Sequence, residues 1–339
     1  MSKGLFHRAI AMSTLGTNQN QLPYQQNHLV FKQAQLLGCP TDTLDNIFEC
    51  FYTKSAEDFG NSLSGFAEFF NDPILIWSPV VEVNHTNDND EAFLVEQPFD
   101  IIRKRKANFV PFITGINKDE LIGVVIEAEE QAQKGNALMY DKINRNWDIY
   151  TSISLGYTRE EGRAARISNE WRMDYLKNRP LSLGNYQGLA QVYADGLINF
   201  PVHRFERLMA EYSSESVFKY FYVYQGCESF SKWSNGTNYG VVHKDELILL
   251  FKVGGFLPPC YKDWKNLERL GGIIEYFAKN GKPFSDNDPF YSSIEWQPTT
   301  LNEPKYLKID EELTMENGII YKRRMNDWED QFPLNSIAV

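Results

Sequence analysis

Long apolar runs are missing from this chain of 339 residues. A helix that crosses a bilayer needs about 20 apolar positions in succession. No segment supplies them, so no membrane-spanning helix is expected. Basic charge is scarce as well. There are 34 Lys+Arg against 45 Asp+Glu, a formal net charge of −11. Phosphate backbones are gripped by clustered cations, so nucleic acid is not an expected partner. The histidines form no His-Glu-x-x-His and the cysteines no Cys-x-x-Cys. Neither zinc spacing is met, and no metal or organic cofactor is expected. Internal repeats and low-complexity tracts are lacking too. The first residues carry one lysine and then an apolar stretch broken by His7 and Arg8, which is not the layout of a signal peptide. They read instead as a turn feeding a short buried strand over residues 9–12.

What is present is globular material. Hydrophobic residues make up 42% and charged residues 23%, a composition that buries a core at this length. Helical periodicity is clearest over residues 26–37, 158–178, 186–212 and 264–280. The second begins with a capping-box spacing, Thr158 and Glu161. The third contains Pro201, which should end or kink it. The fourth carries Leu267, Leu270, Ile273, Ile274 and Phe277 and ends at Asn280-Gly281, a C-cap signal. Strand-like runs lie between them. Residues 109–114 are apolar and closed by Gly115; residues 217–224 are rich in aromatic and β-branched side chains. Strands alternating with long helices predict an α/β fold with a largely parallel sheet. In such sheets, function collects beyond the carboxyl ends of the strands.

The loops after Thr114 and Tyr224 therefore carry the interest. The first holds Asn117-Lys118-Asp119-Glu120, the second Val242-His243-Lys244-Asp245. A Glu on one strand-end loop and a His on a later one form two members of a nucleophile–base–orienter triad. Without further context, each is more often a solvated surface residue. His7, His28, His85 and His203 have no matching acidic loop and are assigned structural or solvent roles. No Gly-x-Ser-x-Gly occurs; Gly60-Asn61-Ser62-Leu63-Ser64 comes nearest and lacks the second glycine. No His-Gly-Gly-Gly run offers oxyanion donors.

Cys39 and Cys50 flank a helix start, and their spacing leaves a disulfide and two free thiols equally open. Cys227 and Cys260 stand apart. Asn84 and Asn235 head two N-glycosylation sequons. Lys-Asp-Glu-Leu occurs twice, at 118–121 and 244–247, but only a C-terminal copy acts as a retention address. The run Arg103-Lys104-Arg105-Lys106 reads as a solvated surface.

Taken in order, several segments resemble the type-B carboxylesterase and cholinesterase family of α/β hydrolases, most of all its insect carboxylesterases. Lys3-Gly4-Leu5-Phe6-His7-Arg8-Ala9-Ile10-Ala11-Met12-Ser13 resembles the segment after the nucleophile helix. Trp77-Ser78-Pro79-Val80-Val81-Glu82 and Gln97-Pro98 resemble the next block. Trp296-Gln297-Pro298, Tyr306-Leu307-Lys308-Ile309 and the stretch around Trp328 resemble the family's C-terminus. The resemblance implies that Glu120 is the catalytic acid, His243 the catalytic base, and Cys39–Cys50 a disulfide. Two departures stand out. Leu121 follows the acid and Lys244 follows the histidine where the family commonly has glycine.

The resemblance covers residues 1–339 as a single α/β-hydrolase domain, matched to the C-terminal two-thirds of the family. An incomplete fold is thus expected, without the N-terminal strands, the oxyanion loop and the nucleophile elbow. The implied function is carboxylic-ester hydrolysis by a secreted serine esterase acting on a small-molecule ester, with this chain inactive for want of its serine. Lost strands would also leave an open sheet edge. Exposing ~1,000 Å² of apolar surface would cost about 25 kcal/mol, more than the roughly 5–15 kcal/mol net stability of a domain. Two other readings compete: a non-catalytic cholinesterase-like adhesion or binding protein, and a truncated regulatory pseudoenzyme. A binding module has no use for both Glu120 and His243.

Overall fold

The structure is a computed structural model that describes residues 3–13, 17, 22–23, 25–82, 92–157, 162–233, 237–284 and 294–334. Among them, one sheet is built from β1 (Ala9–Met12), β2 (Phe112–Asn117), β3 (Val217–Tyr222), β4 (Lys305–Ile309) and β5 (Leu313–Asn317). Their order in space follows the chain. β1 to β4 run parallel and β5 returns antiparallel against β4.

Parallel neighbours need long crossovers, and helices fill them. Between β1 and β2 lie α1 (Asn27–Leu36), α2 (Leu44–Phe51), α3 (Ala56–Ser62) and α4 (Pro98–Arg103). Between β2 and β3 lie α5 (Gly123–Gln133), α6 (Leu138–Arg145), α7 (Trp147–Ser154), α8 (Arg163–Leu176), α9 (Gln187–Ala194) and α10 (Phe200–Tyr212). Then come α11 (Asp245–Leu250) and α12 (Trp264–Asn280) before β4, and α13 (Lys322–Gln331) after β5. The expected α/β architecture is what the chain forms.

The chain divides into two compact units. One gathers residues 1–19, 98–145 and 170–339 and holds the whole sheet. Its β3 is the pivot of the packing. Phe218, Tyr220 and Tyr222 enter a cluster with Leu270, Ile273 and Phe277 of α12. Val217 faces the other way, toward Phe99 and Ile102 of α4 and Leu208 and Met209 of α10. The period-2 alternation of a strand produces these two faces. Full burial of each such side chain contributes about 1.5–3 kcal/mol. β1 pairs with β2 on one side, and among the described residues no strand lies on its other side.

The other unit gathers residues 20–97 and 146–169. There the Cys39–Cys50 disulfide joins the end of α1 to α2, with Cα atoms 5.8 Å apart. Ala34, Cys39 and Ile47 form its small core. Thr43 caps α2 by accepting from Asn46 N, and Ser55 with Asp58 closes a capping box on α3.

Several elements differ from their sequence pattern. β2 does not stop at Gly115 but runs through it to Asn117. A Cβ at Gly115 would lie 2.4 Å from the Tyr220 ring and 2.5 Å from its carbonyl. This glycine is there for close approach of β3, not as a breaker. The 186–212 pattern is not broken at Pro201. A π turn, Asp195–Asn199, links α9 to α10, and Pro201 falls in the first turn of α10, where no backbone donor is needed. The wide turn places Asp195 in full burial against Arg324 (Nε to Oδ2, 3.0 Å), Tyr175 and Asn199. Burial pushes its carboxyl up while Arg324 restrains it. α8 falls within the expected 158–178 span, but Thr158 and Glu161 lie outside the described residues, as do Asn84 and Asn235. No helix among the described residues is long and apolar enough to cross a membrane.

Candidate active site

β2 delivers its carboxyl end beside β3, and the two following loops are stitched together there. Lys118 N donates to Tyr222 O at 3.0 Å and Asp119 N to Val241 O at 2.8 Å. In return, Val241 N donates to Asp119 Oδ2 at 2.9 Å. Gly240 makes this possible. It sits at φ +109°, and a Cβ there would fall 2.2 Å from Asp119 Oδ2. Leu121 (φ 52°) and Lys244 (φ 75°) both take the left-handed conformation. These are the two positions where the resembling family commonly has glycine, so the loops keep the glycine geometry without the glycine.

That stitching brings Glu120 and His243 together. His243 Nδ1 lies 2.6 Å from Glu120 Oε2. Glu120 is 1% exposed, whereas the His243 side chain keeps 25% of its surface. The other carboxylate oxygen, Oε1, accepts from Ser13 Oγ at 2.5 Å and from Asn117 N at 2.8 Å. The carboxylate is thus fixed from three directions. With Nδ1 committed to Glu120, Nε2 is the nitrogen left for proton transfer. A pocket of about 230 Å³ opens beside it, lined by Leu121, Gly123, Phe230, Ser231, Val242 and His243.

The structure thus places a buried Glu against a part-exposed His at the carboxyl ends of parallel strands. Residues 1–328 match the carboxylesterase family. The chain belongs to the carboxylesterase family. Esterase FE4 of Myzus persicae is 24% identical over 328 residues, covering 93% of this chain and 55% of that protein. A carboxylic ester hydrolase of Bombus ignitus is 24% identical over 317 residues, covering 90% of this chain and 53% of the relative. Among solved structures, juvenile hormone esterase from Manduca sexta, with OTFP covalently attached, superposes with a TM-score of 0.72 at 21% identity. The match covers 98% of this chain and 60% of that one. The fold is that of the α/β hydrolases. The chain spans about half the length of the curated relatives it matches.

Other residues of this carboxylesterase-family site are not evident from sequence. Ser13, one residue past β1, adopts φ 50° and is buried. Its hydroxyl serves the acid, so it does not stand in a nucleophile's relation to His243. Asn117 Nδ2 donates to Val242 O at 2.7 Å and also to the Glu246 carboxylate. Tyr220 OH reaches Glu246 from β3 at 3.3 Å. Burial pushes Glu246 up to about 7; Asn117 opposes this and the Glu120 charge adds to it. Asp245 accepts from Val242 N and Phe230 N, both at 2.9 Å.

Of the remaining histidines, His7 and His28 are exposed and His85 lies outside the described residues. His203 is buried, and burial, with Lys219 nearby, holds its imidazole well below the usual range. Cys227 and Cys260, apart in sequence, form a second disulfide. Asp263 stands close to both sulfurs. Its carboxylate accepts from Cys227 N, Cys260 N and Tyr224 OH. Sulfurs bonded to each other are not thiolate ligands, so this grouping has structural work rather than a metal to hold.

Proposed function

We propose that this chain carries the acid and the base of a carboxylic-ester hydrolase whose nucleophilic serine comes from outside this sequence. His243 Nε2 takes the proton as the serine attacks the ester carbonyl, then gives it to the departing alcohol. It next acts as base for the water that releases the acyl group. Glu120 holds the tautomer and stabilises the imidazolium. The 2.6 Å contact between His243 Nδ1 and Glu120 Oε2 carries this reading, because a binding module would gain nothing from a buried acid so placed. Two disulfides suit an oxidising compartment and support a secreted enzyme with glycans at Asn84 and Asn235.

Two measurements on the purified chain test this. Diethyl 4-nitrophenyl phosphate is expected to leave it unlabelled; stoichiometric phosphorylation would mean that a serine nucleophile is present after all. Proton NMR is expected to show a far-downfield His243 Nδ1 proton that vanishes in Glu120→Gln. A wild-type spectrum without that resonance would remove the dyad.

A further inference from the structure

The pocket beside His243 is lined from three separate stretches of chain, the first being Leu121 and Gly123 after β2. Phe230 and Ser231 belong to the loop after β3, and Val242 and His243 to the turn before α11. A single carboxylate joins these last two. Asp245 Oδ1 accepts from Phe230 N and Oδ2 from Val242 N, each at 2.9 Å. Ser229 Oγ lies 3.0 Å and 2.8 Å from the same two oxygens. That hydroxyl also accepts from Ser231 N at 3.2 Å. The chain of bonds thus runs from one wall of the pocket through Asp245 to the residue next to His243.

We propose that Asp245 is a positioning residue whose ionised carboxylate sets the spacing of the pocket walls and so selects a neutral, apolar ester group beside His243. This rests on reading Glu120 and His243 as the working dyad. Leu121, Phe230 and Val242 make the lining largely apolar, and among the described residues the His243 imidazole is its one ionisable side chain. A cavity of about 150 Å³ already accommodates benzene, so a phenyl or short branched alkyl group fits here. Holding a carboxylate in this burial is unfavourable. Burial pushes Asp245 up to about 6, against the pull of the Phe230 and Val242 amides. The titratable or charged groups around it among the described residues are Glu120 in the loop after β2, Tyr222 on β3, and His243, Lys244 and Glu246 close to it in sequence. Once protonated, Asp245 keeps one good acceptor oxygen instead of two, and one wall is released.

The test follows benzyl acetate by NMR in the intact ¹⁵N-labelled chain. At pH 7.5 its effects are expected on the amides of Leu121, Phe230, Ser231 and Val242. In Asp245→Asn the affinity is expected to fall at least fivefold, with the downfield His243 Nδ1 proton retained. Lowering the pH of the wild-type chain is expected to reproduce that loss with a midpoint near 6, and Asp245→Asn to abolish the pH dependence. The wild-type titration stands even where the variant folds poorly. No binding to the wild-type chain, unchanged affinity in Asp245→Asn, or a pH profile that survives the substitution would each overturn the proposal. Loss of the wild-type Nδ1 resonance with the binding results intact would instead overturn the dyad.

Discussion

Lys244 and Leu121 hold backbone shapes that side chains resist. A left-handed conformation costs an L-residue roughly 1–2 kcal/mol. Glycine avoids this but gives back about 0.5–1 kcal/mol through the freedom of the unfolded chain. The Lys244 side chain is exposed, so its removal loses little packing. Lys244→Gly is therefore expected to raise stability by about 0.5–1 kcal/mol, read as a higher urea midpoint. Gly240→Ala should do the opposite and cost about 2 kcal/mol or more, since its Cβ would strike the Asp119 carboxylate. At this scale the sequence was partly legible. Glu120 and His243 could be found because strand-end loops concentrate chemistry and because their neighbours resemble a family. Ser13, Asn117 and Asp245 could not, because hydrogen bonds across distant chain positions leave no periodic trace. The left-handed turns at positions 121 and 244 were visible only as missing glycines.

Strands and helices were legible where periodicity alone determines them. α12 keeps Leu270, Ile273 and Phe277 buried and ends at Gly281 in the left-handed conformation, as its pattern predicts. β2 and the α9–α10 junction were less legible, because Gly115 and Pro201 signal breaks in one dimension while the packed partner decides their use. α11 shows how an element couples to solution conditions. Its Glu246 titrates at about 7 in the folded chain, raised chiefly by burial, against about 4.3 when unfolded. The native state thus binds a proton that the unfolded state releases, and stability falls as pH rises through this window. The full effect is on the order of 3 kcal/mol. His203 acts in the opposite direction below about 6.5, because the unfolded chain protonates an imidazole that the folded chain keeps neutral. Calorimetry is expected to show Tm rising as pH is lowered from 8 to 6.5, with the rise lost in Glu246→Gln.

For the whole molecule, the α/β layout and the family could be read from segment order. The division into a sheet unit and a unit centred on the Cys39–Cys50 loop could not, because each unit is assembled from separated stretches. The Cys227–Cys260 bond has a consequence of a different kind. It closes a covalent ring that contains Phe230, His243 and the segment after α11, where Phe251 and Leu257 are 63% and 70% exposed. A chymotryptic cut after Phe251 opens the ring without parting the chain, whereas Leu257 precedes Pro258 and is resistant. The cut protein should run at full mass on a non-reducing gel and separate into two pieces only with dithiothreitol. The fragment bearing His243 would stay tethered to α12 by sulfur alone, so the bond acts as a safety line for that residue when the surface loop is severed.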